Sequence, residues 1–251
     1  QTQVKELEKL NRLKDDFLST VSHELRTPLS NMKMAIQMLA ISLNQERSFF
    51  AELTKPEAEK TKVARYFQIL RDECEREISL IGDLLDLQRL DAGAHTLVMQ
   101  PIKLPEWLPQ IIQPFQDRVN QHQQTLQLNI SHDFPMILSD PNSLGRILGE
   151  LLNNACKYTP AGEIITVNAS IIGNQLQLQV CNSGVEIPPQ ELSRIFDKFY
   201  RIPRTDPWQQ GGTGLGLTLV KKLINHLGGS IQLQSSEGTT IFTIFLPINY
   251  S

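Results

Sequence analysis

Cysteine is scarce in this chain: three residues among 251, Cys74, Cys156 and Cys181, far apart and without a CxxC pair. That usage excludes a disulfide framework and a thiolate zinc site as organising features and fits a reducing compartment best. No apolar run approaches the roughly 20 residues that span a bilayer, and the polar start Gln1-Thr2-Gln3-Val4-Lys5 has none of the features of a signal peptide. The chain is therefore expected to be soluble and cytoplasmic, with a membrane anchor in its parent protein left open. Charge of one sign is also missing, since 24 Lys+Arg face 27 Asp+Glu, so no nucleic-acid partner is expected on electrostatic grounds. What the chain does have is 40% hydrophobic residues, enough to exclude disorder and to build a core.

Glycine and proline are nearly absent from the first third. Only Gly82, Gly93, Pro28 and Pro56 fall in residues 1–94, and twelve of each fall in residues 95–251. This shift marks a boundary near Gly93 and two domains, 1–94 and 95–251. In the first, Leu18, Val21, Leu25, Leu29, Met32, Ile36, Leu39 and Leu43 recur in steps of three and four, as do Val63, Phe67, Leu70, Cys74, Ile78, Ile81 and Leu85. The pattern predicts two amphipathic helices of coiled-coil type, joined by a connection from about Asn44 to Glu59. Such a hairpin leaves apolar surface uncovered, which a second copy would bury in a four-helix bundle, giving a homodimer. Val4, Leu7, Leu10, Leu13 and Phe17 carry the stripe to the first residue, so a coiled coil leading to an upstream sensor domain is expected to be missing.

From about Leu97 the texture changes. Runs at 126–130, 164–167, 176–180 and 240–245 predict strands, and helices are expected from Leu104 to His122, from Ser143 to Tyr158 behind Ser139-Asp140-Pro141, and from Leu215 to Leu227 before Gly228-Gly229. Their order predicts an α+β sandwich, a sheet with helices on one face.

Four segments carry candidate chemistry. His23, in Ser22-His23-Glu24-Leu25-Arg26-Thr27-Pro28, lies opposite the apolar seam and faces solvent. Glu24 can bond one imidazole nitrogen and leave the other nucleophilic, Thr27 shares the face, and Pro28 loosens the turn. Gly211-Gly212-Thr213-Gly214-Leu215-Gly216-Leu217 runs into a helix, so its backbone amides and the helix dipole suit phosphate, although it is neither a Walker loop nor a dinucleotide fingerprint. Glu150, Asn154 and Lys157 share a helix face and offer oxygen ligands for Mg²⁺ and a cation for phosphate. Cys181 to Pro188 ends a strand in a turn.

In this order the segments resemble the boxes of the sensor histidine kinases of two-component signalling. His23 to Pro28 resembles the H box, Leu152 to Tyr158 the N box, residues 182–188 the G1 box, Ile195 to Arg201 the F box and Gly212 to Leu217 the G2 box. The resemblance implies a dimerisation and phosphoacceptor hairpin followed by an ATP-binding sandwich of the Bergerat type. By that analogy His23 is the phosphoacceptor, Glu24 orients and deprotonates it, and Thr27 positions water when the phosphoryl group is removed from the partner. Asn154 would bind the Mg²⁺ that bridges the ATP phosphates, Lys157 would contact a phosphate, and Tyr158, Gly184, Ile187 and Arg201 would line the nucleotide. Gly212, Thr213, Gly214, Leu215 and Gly216 would hold the phosphates, with residues 199–212 as a lid. The implied reaction is ATP-dependent phosphorylation of His23 and transfer to an aspartate in the receiver domain of a response regulator.

The chain departs from the family at three points. Asn182 stands where Asp usually accepts a bond from the adenine amino group, so the bond would lack charge assistance. Glu186 replaces the second G1 glycine, and Glu150 holds an N-box position often occupied by Asn. These motivate two alternatives, a degenerate kinase that binds its regulator without using ATP, and an ATPase with no phosphorelay.

Overall fold

The computed structural model describes residues 29–44, 51, 53–56, 59–202 and 213–248. His23, Glu24, Thr27 and Gly212 lie outside the described residues. Residues 29–44 are helical (α1), and the long helix α2 spans Lys62–Asp91. The latter begins behind Thr61, whose side chain accepts from the Ala64 N–H at 3.3 Å and so satisfies one of the helix's unpaired donors. Leu29, Ile36, Ala40 and Leu43 form the better-buried edge of α1, and Ala40 packs with Ala64 and Phe67 of α2 in a small core joined by Ile36, Leu43 and Leu53. The Cys74 thiol donates to the Leu29 carbonyl at 3.3 Å, and Lys33 pairs with Glu75 at 3.6 Å.

Two details differ from the sequence reading. Ala51 and Leu53 are helical, so the proposed connection between the helices is partly structured, and Leu53 contributes to the core. Of the predicted stripes, Met32, Leu39, Val63 and Leu70 are exposed. A single seam between two helices is narrower than the apolar band the sequence writes on them, and Ala64, one residue past Val63, takes the buried place.

The chain divides into two compact units, residues 1–93 and 94–251. The second is built on a five-stranded sheet of β2 (Thr125–Asn129), β4 (Ile164–Ile172), β5 (Gln175–Ser183), β6 (Ser230–Ser236) and β7 (Thr239–Pro247), ordered β2-β4-β5-β7-β6. Only the β2–β4 pair is parallel. A two-stranded ladder joins β1 (Gln100–Ile102) to β3 (Ile137–Ser139). Helices α3 (Leu104–Ile112), α4 (Gln116–Gln121), α5 (Pro141–Tyr158) and α6 (Gly216–His226) complete the unit.

Period-two alternation decides which sheet face they cover. Leu176, Leu178 and Val180 of β5 are buried with Ile165 and Val167 of β4 and Phe242 and Ile244 of β7, against Leu144, Ile147, Leu148 and Leu151 of α5 and Leu219, Val220 and Leu223 of α6. Gln177 and Gln179 look the other way.

The helix expected from Leu104 to His122 is broken: α3 ends at Ile112, a 3₁₀ turn spans Gln113–Phe115, and α4 follows. Pro114, which lacks an N–H and clashes with the preceding turn, accounts for the break. Strands β1 and β3 are too short to leave a pattern, and β6 places only two apolar residues, Ile231 and Leu233, on its inner face beside Ser235. No described helix is long and apolar enough to cross a membrane.

Candidate functional site

Helix α5 carries the N-box residues, and both of its ends are anchored. Asp140 caps the start, accepting from Ser143 N at 3.1 Å and from the Ser143 hydroxyl at 2.5 Å, with Pro141 in the first turn. At the other end, where carbonyls have no helical partner, the buried Gln124 amide donates to the carbonyls of Cys156 (3.0 Å) and Thr159 (2.5 Å). His122 Nδ1 adds a 3.2 Å bond to the same Cys156 carbonyl. This end carries Asn154, Lys157 and Tyr158, all half-buried, with the Lys157 ammonium 4.7 Å from the centre of the Tyr158 ring. The thiol of Cys156 on the inner face is pushed up by burial, opposed by the nearby Arg118 guanidinium, which keeps it a neutral core residue.

Glu150, one turn before Asn154, pairs with Arg146 at 3.4 Å. Its carboxylate also lies against Gly216, the first residue of α6, where a Cβ would collide with it. The first N–H groups of a helix have no partner within it and lie at the positive end of its dipole, so an anion is favoured at the start of α6. The N-box face and the glycine loop therefore meet around Glu150.

The glycine loop is fixed from the other side by the F box. Gly214 has φ +71°, a conformation that favours glycine, and a Cβ there would sit 2.7 Å from the Phe199 backbone. The Phe199 N–H donates to the Gly214 carbonyl at 2.9 Å, and Phe199 itself has φ +64°. Thr213 Oγ1 accepts from Leu215 N at 3.2 Å, and the Thr218 hydroxyl donates to the Phe196 carbonyl at 2.9 Å. Tyr200 donates a short hydrogen bond to Glu191, which pushes the phenol above its usual range, and Arg194 lies 4.1 Å from its ring centre. Arg201 follows, exposed.

Asn182, the last inward-facing residue of β5, is buried opposite Ile165 of β4 and Thr240 of β7. Gly184 turns the chain with φ +73° against Glu163, whose carboxylate accepts the Ser183 hydroxyl at 2.5 Å. The next three residues are tied to the β6–β7 hairpin: Val185 N donates to the Gly238 carbonyl (3.1 Å), Gly238 N to the Glu186 carboxylate (3.3 Å), and Ile187 N to Ser235 Oγ (2.8 Å). Glu186 is exposed. Its side chain turns to the hairpin, so the replacement of glycine is accommodated by an added contact.

The structure thus joins the N box to the glycine loop through Glu150 and the F box to the same loop through Phe199, and it gathers Asn182, Gly184 and Ile187 at the sheet end. Glu163, Gln124, His122, Ser235 and Thr240 support these segments and were not expected to. Isolated polar residues in strands and turns have no local signature, and only the fold reveals their partners.

Two family models match the chain: the His Kinase A (phospho-acceptor) domain over residues 13–93, and the histidine kinase-, DNA gyrase B-, and HSP90-like ATPase over residues 139–250. The chain belongs to the sensor histidine kinases of two-component signalling. It is 33% identical over 240 residues to the circadian input-output histidine kinase CikA of Synechococcus elongatus, covering 94% of this chain and 30% of that protein. It also resembles the crystal structure of full-length ShkA in complex with AMPPNP, with a TM-score of 0.71 and 29% identity over 94% of this chain and 46% of that one. The histidine kinase ThkA, solved with the response regulator protein TrrA, shares the fold at a TM-score of 0.61 and 18% identity, covering 98% of this chain and 66% of that one. The chain spans less than half the length of CikA and ShkA.

Proposed function

We propose that this chain is the kinase core of a cytoplasmic homodimer that uses ATP to phosphorylate His23 and passes the phosphoryl group to an aspartate of a response regulator. One observation carries the reading: a glycine loop in which a Cβ at 214 would collide with the Phe199 backbone opens α6 with Gly216 against Glu150, on the α5 face that also carries Asn154 and Lys157. A glycine-rich loop at a helix N-terminus, packed on a helix that carries an amide oxygen and an ammonium, has the composition a triphosphate requires. Likeness to a structure solved with AMPPNP supports the nucleotide, and likeness to a kinase solved with a response regulator supports the partner.

In this reading the amides of residues 213–216 hold the phosphates, Lys157 neutralises charge on them, Asn182 accepts from the adenine amino group, and Gly184, Ile187, Tyr158 and Arg201 line the nucleotide. Asn154 offers a hard oxygen ligand that fits Mg²⁺, which when bound would neutralise phosphate charge. Among the described residues no group of three or more His, Cys, Asp or Glu is gathered for a metal, and Mg²⁺ is commonly held by one or two protein oxygens together with substrate phosphates. An imidazole nitrogen of His23 attacks the γ-phosphorus while Glu24 takes the ring proton. The N–P bond forms as the bond from the γ-phosphorus to the bridging oxygen breaks, and ADP leaves. The receiver aspartate then attacks the same phosphorus, the N–P bond breaks, and an acyl phosphate forms. Thr27, four residues from His23, positions water for hydrolysis of that acyl phosphate, which makes the kinase a phosphatase as well.

Exposed Met32, Leu39, Val63 and Leu70 support the dimer, since two paired hairpins would cover them in a four-helix bundle. The test is incubation with γ-labelled ATP and Mg²⁺. Acid-labile label is expected on the unaltered chain and none on His23→Gln, which should bind ATP as before. Thr27→Ala should slow dephosphorylation of the regulator more than it slows autophosphorylation. Label persisting in His23→Gln would overturn the phosphoacceptor assignment, and equal losses in Thr27→Ala would remove its role.

A further inference from the structure

We infer that Ser235 of β6, which lies outside every segment resembling a kinase motif, is a positioning residue for the nucleotide site, acting through Thr240 on residues 185–187. The inference rests on the nucleotide reading above. Asn182, Thr240 and Ser235 stand directly opposite one another on β5, β7 and β6, so their side chains form one row across three strands on the helix-covered face.

Counting hydrogens fixes the direction of the bonds. Thr240 is buried, and its hydroxyl donates to the Val185 carbonyl at 3.0 Å. A hydroxyl has one hydrogen, so the 2.8 Å contact between Thr240 Oγ1 and Ser235 Oγ uses the hydrogen of Ser235. Ser235 Oγ is then the acceptor for the Ile187 N–H at 2.8 Å. The chain runs from Ile187 N–H through Ser235 and Thr240 to the Val185 carbonyl, with each hydrogen used once.

The two ends of this relay are the backbone groups flanking Glu186. In a turn that lacks its second glycine, the relay supplies the restraint that orders the backbone beside Asn182. Placement matters more at Asn182 than at the usual Asp, because an uncharged acceptor has no long-range attraction to offset a misaligned bond. Removing the Ser235 hydroxyl would leave the Ile187 N–H without its acceptor and the Thr240 oxygen without the hydrogen bond it accepts, so that only the Thr240–Val185 bond would still hold this turn from β7.

The test compares the unaltered chain with Ser235→Ala and Ser235→Thr. Amide hydrogen exchange in the nucleotide-free protein reads the relay itself: Ile187 should exchange about tenfold faster in Ser235→Ala, with Val180 and Phe242 in the sheet centre unchanged and protection recovered in Ser235→Thr. Calorimetric titration and initial rates read the consequence. The Kd and KM for ATP should rise about tenfold in Ser235→Ala, the rate at saturating ATP should stay within about twofold, and Ser235→Thr should restore affinity. Unchanged Ile187 exchange, unchanged ATP affinity, or faster exchange throughout the sheet would each overturn the inference. Failure of the unaltered chain to bind ATP would instead overturn the nucleotide reading, and the positioning role with it, and is distinguished by the exchange data.

Discussion

The two units treat their apolar residues in opposite ways. In the helical unit Met32, Leu39 and Leu70 are 55%, 52% and 56% exposed, although all three belong to the heptad-like stripes. In the sheet unit Leu144, Ile147, Leu152, Ile165 and Leu178 are 0% exposed. A fully buried aliphatic side chain is worth about 1.5–3 kcal/mol, so the second unit gains this throughout its core, whereas the first gains it at Phe67, Ile81, Leu85 and Leu87 and leaves the rest of its stripes for the proposed second copy. The same contrast holds for chemistry. The sheet unit assembles its candidate site from its own helices and loops, whereas the proposed acceptor, His23, belongs to the other stretch of sequence and would have to meet a nucleotide it does not itself bind.

Substitutions can break this contrast at either end. The largest effect is expected from Asn154→Ala, which removes the proposed metal ligand: loss of several kcal/mol of charge neutralisation corresponds to about a thousandfold lower autophosphorylation, with the dimer intact by sedimentation. A residual rate within tenfold of normal would refute the metal assignment. Next comes the pair Leu39→Glu and Leu70→Glu, each placing a charge where the partner hairpin is proposed to pack. An unpaired charge buried in an interface costs several kcal/mol, so the dimer dissociation constant should rise by about a hundredfold or more while ATP affinity stays within about twofold. Loss of both together would mean that the second unit is not independent. The smallest effect is expected from Gly214→Ala. Positive φ for a residue with a Cβ costs on the order of 1–2 kcal/mol, and the collision with Phe199 adds to it, so ATP affinity should fall about tenfold with the oligomer unchanged. Normal affinity in this variant would show that the loop can hold phosphates in another conformation.

The N box was legible because Asp140-Pro141 starts a helix, its apolar residues recur with helical period, and Glu150, Asn154 and Lys157 then share a face. The glycine loop was legible as a turn into a helix, since glycines before a helix serve a tight turn as well as a phosphate, and its assignment to phosphate came from its place among the other motifs. The break at Pro114 was legible in principle, yet the helical pattern on both sides of it concealed the interruption. The exposed stripe on α1 and α2 shows the opposite problem: periodicity says that a residue faces apolar surroundings without saying whether they lie in the same chain. Departures from the family pattern were visible as letters only, and the structure shows what each contacts. Glu186 reaches the Gly238 N–H, and Glu150 faces Arg146 and Gly216.

By itself the sequence determined the division near Gly93, the helical and mixed character of the two units, and the family to which the chain belongs, because composition, periodicity and ordered motifs act over short stretches of backbone. The tertiary structure decided which side chains hold those motifs in place. Gln124 reaches the end of α5, Phe199 closes on Gly214, and Ser235 and Thr240 grip the turn after Asn182, each across a separation of more than a dozen residues. Such contacts depend on strand order and register, which are set by burying the sheet's inner face against the helices and so belong to the whole unit rather than to any one segment.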